Sequence, residues 1–426
     1  MRVDDTTVVN RGRYPDAATP WEQESWRAEA LDWVADSLTA HGLHASGALE
    51  VRLRPWSVLI RVPVEQRAAG AGRTAGPERK AGPERKAGPE RKAGAERKAG
   101  PGQAVGAGAA AGGAPATDPG AAAGGRQATD PGAAAGVGPA ARSEGAAGTG
   151  TAVGGGPAAV WFKATPAASA FEGPLTAALA RWVPEHVLRP LAVDAARGWV
   201  LLPDGGDLFR SVLAREPVGP GDWEALLRQY ASMQYDLIPH AAEIERLGVP
   251  AARTLDLPEV FDELLAGNSA LTPQERARLE GVRPRLADWC AELAFVGVPD
   301  TLDHADLHDG QLFRPAPGRF TFFDWGDAAV SHPFCSLRVP VERAVDRYGP
   351  QVLPRLLDAY LEPWTGDGRT AAQLRRAAEL AWRLSALGRA ASWGRMFPHG
   401  SGAEPGAAQG AAWLLELLAE PPFRAG

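Results

Sequence analysis

The chain has 426 residues and a net charge of −6. That length accommodates two or more domains, and the mild acidity weighs against nucleic acid as a default partner. No run of about 18 apolar residues offers a membrane span, and the opening stretch MRVDDTTVVNRGRYPD lacks a signal-peptide core. A soluble, cytoplasmic protein with no membrane partner is therefore expected. The two cysteines, Cys290 and Cys335, lack metal or redox spacing and read as buried thiols.

In chain order, Thr19-Pro20-Trp21-Glu22 is a capping box that opens a helix carrying Ala30, Leu31, Val34 and Leu38 on one face and ending near Gly42. Leu49, Val51 and Leu53 then alternate with charged residues, as do Val58, Ile60, Val62 and Val64 with their neighbours. This is a hairpin with Arg54 to Ser57 at its tip. Residues 66–157 are different material. Ala-Gly-Pro-Glu-Arg-Lys repeats in tandem from Ala75 to Lys92, and ATDPGAAAG occurs twice, from Ala116 and from Ala128. Large apolar residues are scarce, so nothing offsets the entropy of ordering, and the segment reads as disordered. Stretching a turn of about 10 residues to about 90 costs only about 2 kcal/mol of loop-closure entropy.

Order is expected to resume at Ala158. In the strand AVWFKA, Val160 and Phe162 face one way, Trp161 and Lys163 the other. A lone Lys on an apolar strand suits either an anion-binding role or an edge that deters pairing. A helix is expected over Ala170 to Trp182, with Glu172 near its start, where an acidic residue also suits the helix dipole. Short strands are expected at Leu188 to Val193 and Trp199 to Leu202, giving about five antiparallel strands. The rest is helical. Trp223, Leu226, Leu227, Tyr230, Gln234 and Leu237 form a stripe, Thr272-Pro273-Gln274-Glu275 is a second capping box, and further helices cover Ser336 to Tyr348, Gln351 to Leu361, Thr370 to Trp393 and Ala407 to Leu418.

Among these helices lies the segment richest in chemistry. HADLHDGQ (His304 to Gln311) precedes a short hairpin turned at Pro315 to Gly318, and DWGD (Asp324 to Asp327) follows it. A hairpin of that length returns the chain beside its start, so Asp306 and Asp324 converge. Neighbouring carboxylates raise each other's pKa unless a cation compensates.

The pattern His304-x-Asp306, Gln311, hairpin, Asp324 resembles the catalytic centre of the aminoglycoside phosphotransferases, relatives of the protein kinases. The resemblance implies an α+β, bilobal protein-kinase-like fold: a small antiparallel-sheet lobe, a larger mainly helical lobe, and a long low-complexity insert. The implied segments are 1–65 for the N-terminal helix and first strands, 66–157 for the insert, 158–203 for the rest of the nucleotide-binding lobe and hinge, and 204–426 for the helical catalytic lobe. It also implies transfer of the γ-phosphoryl of ATP or GTP to a hydroxyl of a small molecule, with magnesium and no obligate protein partner.

By the same resemblance Asp306 is the base, Asp324 the principal metal ligand with Gln311 assisting, and His304 shapes the loop. Lys163 holds phosphates with Glu172 as its partner, while Leu202 and Asp204 lie at a hinge that meets the nucleotide base. The pattern departs from the family in two places. Gln311 stands where Asn is usual, which sets the amide oxygen one methylene further out. Arg54-Pro55-Trp56-Ser57 stands where a glycine-rich phosphate loop is usual, leaving turn N–H groups and Ser57 to meet phosphate and Arg54 to add charge. Asp327 and His308 suit substrate contact and loop bracing equally.

Other functions fit some of the same residues. A nucleotide-binding pseudoenzyme accommodates both departures. A zinc hydrolase would use His304, Asp306 and His308 as alternate residues of a strand. An interaction protein would be built on the repeats.

Overall fold

A computed structural model describes residues 7–9, 19–66, 158–396 and 406–423. The repeat tract and the disorder expected of it lie outside the described residues, as does most of the N-terminal stretch read for a signal.

The first lobe is a seven-stranded sheet in the order β1-β3-β4-β5-β7-β6, with β2 added beside β4. Its strands are β1 (Thr7–Val9), β2 (Leu43–Ala45), β3 (Glu50–Leu53), β4 (Val58–Gln66), β5 (Ala159–Ala164), β6 (Ala192–Asp194) and β7 (Trp199–Pro203). The expectation of about five antiparallel strands is corrected on two counts. Two three-residue strands, too short to show alternation, join the sheet, and β1 runs parallel to β3. The strand expected from Leu188 begins only at Ala192, since Pro190 has no N–H to give a ladder.

Alternation on β5 sorts two environments. Phe162 packs with Trp199 (ring centroids 5.7 Å apart) and with Trp33 (5.9 Å) of helix α1 (Glu24–Ala40), forming one core. Lys163 and Trp161 face the other side, in register with Leu59 and Leu202 of the flanking strands. The helix expected at Pro20 opens instead as a single 3-10 turn, Pro20–Glu22, and α1 starts after it. Trp21 in that turn donates its indole N–H to the carbonyl of Arg54 at 2.7 Å, anchoring the β3–β4 tip.

The second lobe is helical. Helices α2 (Glu172–Trp182) and α3 (Phe209–Arg215) flank the crossing from the sheet. They are followed by α4 (Pro220–Asp236), α5 (Ala241–Arg246), α6 (Leu257–Gly267), α7 (Pro273–Glu280) and α8 (Arg283–Phe295). The Thr272 capping box forms as expected: the Glu275 N–H donates to Thr272 Oγ1 and the Thr272 N–H to Glu275 Oε2. After the loop region come α9 (Arg338–Tyr348), α10 (Leu353–Leu361), α11 (Ala371–Arg395) and α12 (Ala407–Leu415). Both cysteines are buried free thiols, as expected. Gln234, read as part of an apolar stripe, is instead a buried clamp. Its amide N–H₂ donates to the carbonyls of Leu302 and Pro333, and its oxygen accepts from Tyr360 at 2.6 Å. A buried amide must be satisfied this way or it destabilises.

Two small ladders shape the loop region. The expected hairpin is β9 (Leu312–Ala316) against β10 (Arg319–Phe322), turned through Gly318 at φ +68°. Short strands β8 (Thr301–Asp303) and β11 (Ala329–Ser331) pair antiparallel around it. The whole stretch from His304 to Ala328 is therefore an excursion held shut at its base.

Two consequences can be measured. Because β4 and β5 pair directly, with Pro63 opposite Ala159, replacing residues 68–156 by a short Gly-Ser turn should leave Tm within about 3 °C of the full chain. A drop of 10 °C in a thermal melt would show that the tract supports the fold. Burial alone pushes the fully buried His332 down to about 3. Between that value and its ordinary value near 6.5 the unfolded chain binds a proton that the folded chain does not. Stability is therefore full above pH 6.5 and falls as pH drops toward 3. His332→Asn, which keeps an acceptor for the Phe334 N–H, should flatten the slope of urea-derived stability over pH 4–6. An unchanged slope would refute the assignment.

Candidate active site

The excursion between β8 and β11 meets the cleft face of the sheet. Lys163 reaches across to both carboxylates: its Nζ donates to Glu172 Oε1 at 2.6 Å and to Asp324 Oδ1. Glu172 opens α2, and Gly173 after it lies so close to β6 that a Cβ there would stand 2.9 Å from Val193 Cγ1. Burial opposes charge on Lys163, but Asp324 and Glu172 outweigh it and hold the ammonium above its ordinary range. Burial raises the Glu172 carboxyl to about 7 against the pull of Lys163. For Asp324 burial also works upward, yet Lys163 prevails and the carboxylate stays below its ordinary range.

Asp324 sits at φ +67° and Ala305 at φ +59°, the only non-glycine residues with positive φ among those described. Such residues cost about 1–3 kcal/mol each, and they cluster where function fixes a side chain's direction. His304 braces the pair. One ring nitrogen lies 2.9 Å from the Phe323 carbonyl, and the His304 N–H donates to Tyr230 and Ser336. The Ala305 N–H donates to Asp303 Oδ1 at 2.9 Å.

Asp306, Asp324, Gln311, Lys163, Glu172 and Ser57 border one cleft, together with Asp327 and the buried Arg54. Burial lowers Arg54 to about 10, with Asp324 pulling the other way. Beside this cleft an apolar slot is lined by Leu59, Trp161, Leu188, Leu202, Phe313 and Phe323, the two phenylalanines stacked with centroids 4.5 Å apart. Gly205 packs directly on the Phe313 ring, which a Cβ there would overlap at 2.3 Å. Leu202 thus reaches the slot. Asp204 does not border it: its carboxylate turns back to accept from the Gly206 N–H at 3.0 Å.

His308 is buried and engaged within its own loop. Its Nδ1 accepts from the Gly310 N–H at 2.9 Å. Burial, aided by Arg210, pushes it down to about 3, so it is a neutral brace at physiological pH. The arrangement needed for zinc does not form. Strand β8 ends at Asp303, Ala305 turns left-handed, and His304 already spends a ring nitrogen on Phe323. Among the described residues, no group of three or more His, Cys, Asp or Glu side chains is arranged to hold a metal. A magnesium ion bound chiefly through substrate phosphates asks less, one or two protein oxygens. Here Gln311 Oε1 is buried, borders the cleft and has no hydrogen-bond partner among the described residues. With Asp324 it supplies a donor set of the right hardness.

One residue of the site escaped the sequence reading. Arg389 of α11 places Nη1 3.0 Å from Asp306 Oδ1 and 3.8 Å from Asp327 Oδ2. The available signal was its spacing: seven residues from Trp382 and four from Trp393, it falls on the buried stripe of α11.

No family model and no curated protein matches the chain. Among solved structures it is similar to a choline/ethanolamine kinase family protein from Mesorhizobium loti (16% identity, 62% of this chain and 83% of that one, TM-score 0.42). It is likewise similar to a macrolide 2'-phosphotransferase from Brachybacterium faecium (18%, 60% and 84%, TM-score 0.41) and to a GDP and kanamycin complex of an aminoglycoside 2''-phosphotransferase (16%, 55% and 79%, TM-score 0.39). The sheet lobe, the helical lobe and the loop excursion facing the sheet make the fold an α+β, bilobal one.

The Lys163 contacts give a stability test. Lys163→Met leaves two carboxylates without their cation, and breaking a buried pair in this way should destabilise by roughly 3 kcal/mol. Urea denaturation at pH 7.5 reads this directly, and a loss under about 0.5 kcal/mol would place the pair in the surface class.

Proposed function

We propose that the chain is a small-molecule kinase that transfers the γ-phosphoryl group of ATP or GTP to a hydroxyl of a small acceptor. The observation that carries this is the linkage of Lys163 to both Glu172 and Asp324 in a cleft that Asp306 also borders. An apolar slot adjoining that cleft suits a purine base, with the Leu202–Pro203 backbone along its edge. Lys163, Arg54 and Ser57 then face the phosphates. Asp324 and Gln311 would hold magnesium, which neutralises charge on the phosphate oxygens.

Asp306 orients the acceptor and takes its proton as the hydroxyl oxygen bonds to the γ-phosphorus. The bond from phosphorus to the bridging oxygen breaks, and the nucleoside diphosphate leaves. Little covalent chemistry is asked of the protein; most of the rate comes from positioning and charge. His304 and His308 brace the loop from beneath, so substrate contact on this side falls to Asp327.

A second reading, nucleotide binding without turnover, is favoured by the direct Lys163–Asp324 contact and by Gln311. One experiment separates the two. Magnesium-dependent ATP and GTP consumption is measured over hydroxylated metabolites, amino alcohols and antibiotics, for the wild type and Asp306→Asn. Turnover that falls by about 10²–10⁴-fold in the variant, with nucleotide affinity retained, is expected of a base and orienting residue. Wild-type turnover in Asp306→Asn removes Asp306 from its role. Nucleotide binding with no turnover across the panel supports the second reading.

A further inference from the structure

The carboxylate assigned as the base is not surrounded only by its own loop. Helix α11 crosses beneath it. Gly388 packs against Asp303, where a Cβ would lie 3.7 Å from Oδ2. Arg389 follows, 2% exposed. Its Nη1 lies 3.0 Å from Asp306 Oδ1, donates to the Ala305 carbonyl at 3.2 Å, and is 3.8 Å from Asp327 Oδ2. The guanidinium also stacks over Trp413 of α12, 5.2 Å from the ring centroid. A buried guanidinium is costly unless it is well matched. This one sits where a single planar cation spans the left-handed residue, the carboxylate after it and the aspartate of the second turn.

We propose that Arg389 is the positioning residue for phosphoryl transfer: it holds Asp306 through Oδ1 and ties the direction of that carboxylate to helix α11. This rests on Asp306 being the base. A cation on the base's carboxylate lowers its proton affinity, so the arrangement suits a base that works by orientation rather than strength. Lys keeps the charge, but its flexible stem does not fix a nitrogen where the rigid guanidinium holds Nη1.

The test is a graded series, Arg389→Lys and Arg389→Gln, read by magnesium-ATP hydrolysis with water as acceptor and by thermal melting. Misplacing a reacting group by about 1 Å costs on the order of 10²-fold in rate. kcat should therefore fall about tenfold in the Lys variant and about a hundredfold in the Gln variant, with KM for ATP within about twofold. An equilibrium readout stands beside it. Binding of magnesium-ADP with aluminium fluoride, which holds an attacking water in place, should weaken in the same order, while ADP alone binds as in the wild type. If Arg389→Gln does not fold, Arg389→Lys carries both measurements. A flat series, or losses that track Tm and appear equally in KM and ADP affinity, overturns the proposal. Asp306→Asn measured alongside separates the levels. If it is inactive and the Arg389 series is flat, only the clamp fails; if it is fully active, the base assignment fails and the clamp with it.

Discussion

The contact on which the rest depends is the ammonium of Lys163 between the carboxylates of Glu172 and Asp324. One cation bridges a strand of the sheet, the first turn of the helix after it, and a turn of the helical lobe. Taking three charges out of water is expensive, and a close contact repays it only with good geometry. The opposed tendencies at Glu172 and Asp324 show how the balance is struck. Glu172 is buried enough to be raised to about 7, whereas Asp324, partly open to the cleft, stays firmly charged. Glu172 thus lies deeper and Asp324 nearer the open side of the cleft.

The loop excursion solves a second problem, that of holding Asp306 and Asp324 in fixed relation on irregular backbone. The β8–β11 ladder closes the excursion, the hairpin sets its span, and buried histidines fill beneath it. His304 and His308 are buried and hydrogen-bonded within the loop, and burial keeps both below their ordinary range. Gln234 and Tyr360 lock the strand preceding the loop to the helices behind it. Rigid support of this kind is what a site that works by positioning requires.

Much of this was legible in the sequence because local pattern and tertiary demand agree. Alternation along β5 put Lys163 and Trp161 on one face, and the hairpin before Asp324 announced the convergence of Asp306 and Asp324 on one cleft. What stayed illegible is physically different. Strands of three residues carry no period. Gln234 kept helical spacing yet is polar for the sake of carbonyls distant in sequence. The side chain of Asp204, whose backbone was read as part of a hinge, serves the adjacent turn. Arg389 was hidden because an arginine in a helix ordinarily points to water, and nothing local reveals that its helix passes under the loop. The alternation proposed for His304, Asp306 and His308 does not form, because the strand ends at Asp303, before the first of the three.

The left-handed backbone at position 324 has a consequence for how this protein can change. Glycine, asparagine and aspartate enter that conformation most readily; alanine, as at Ala305, does so only at a strain cost. Genetic drift at the site is confined to a small alphabet by the main chain before chemistry is considered. Within that alphabet asparagine alone retains a side-chain oxygen while removing the charge, so it isolates electrostatics, whereas alanine or glutamate would alter the fold of the turn as well.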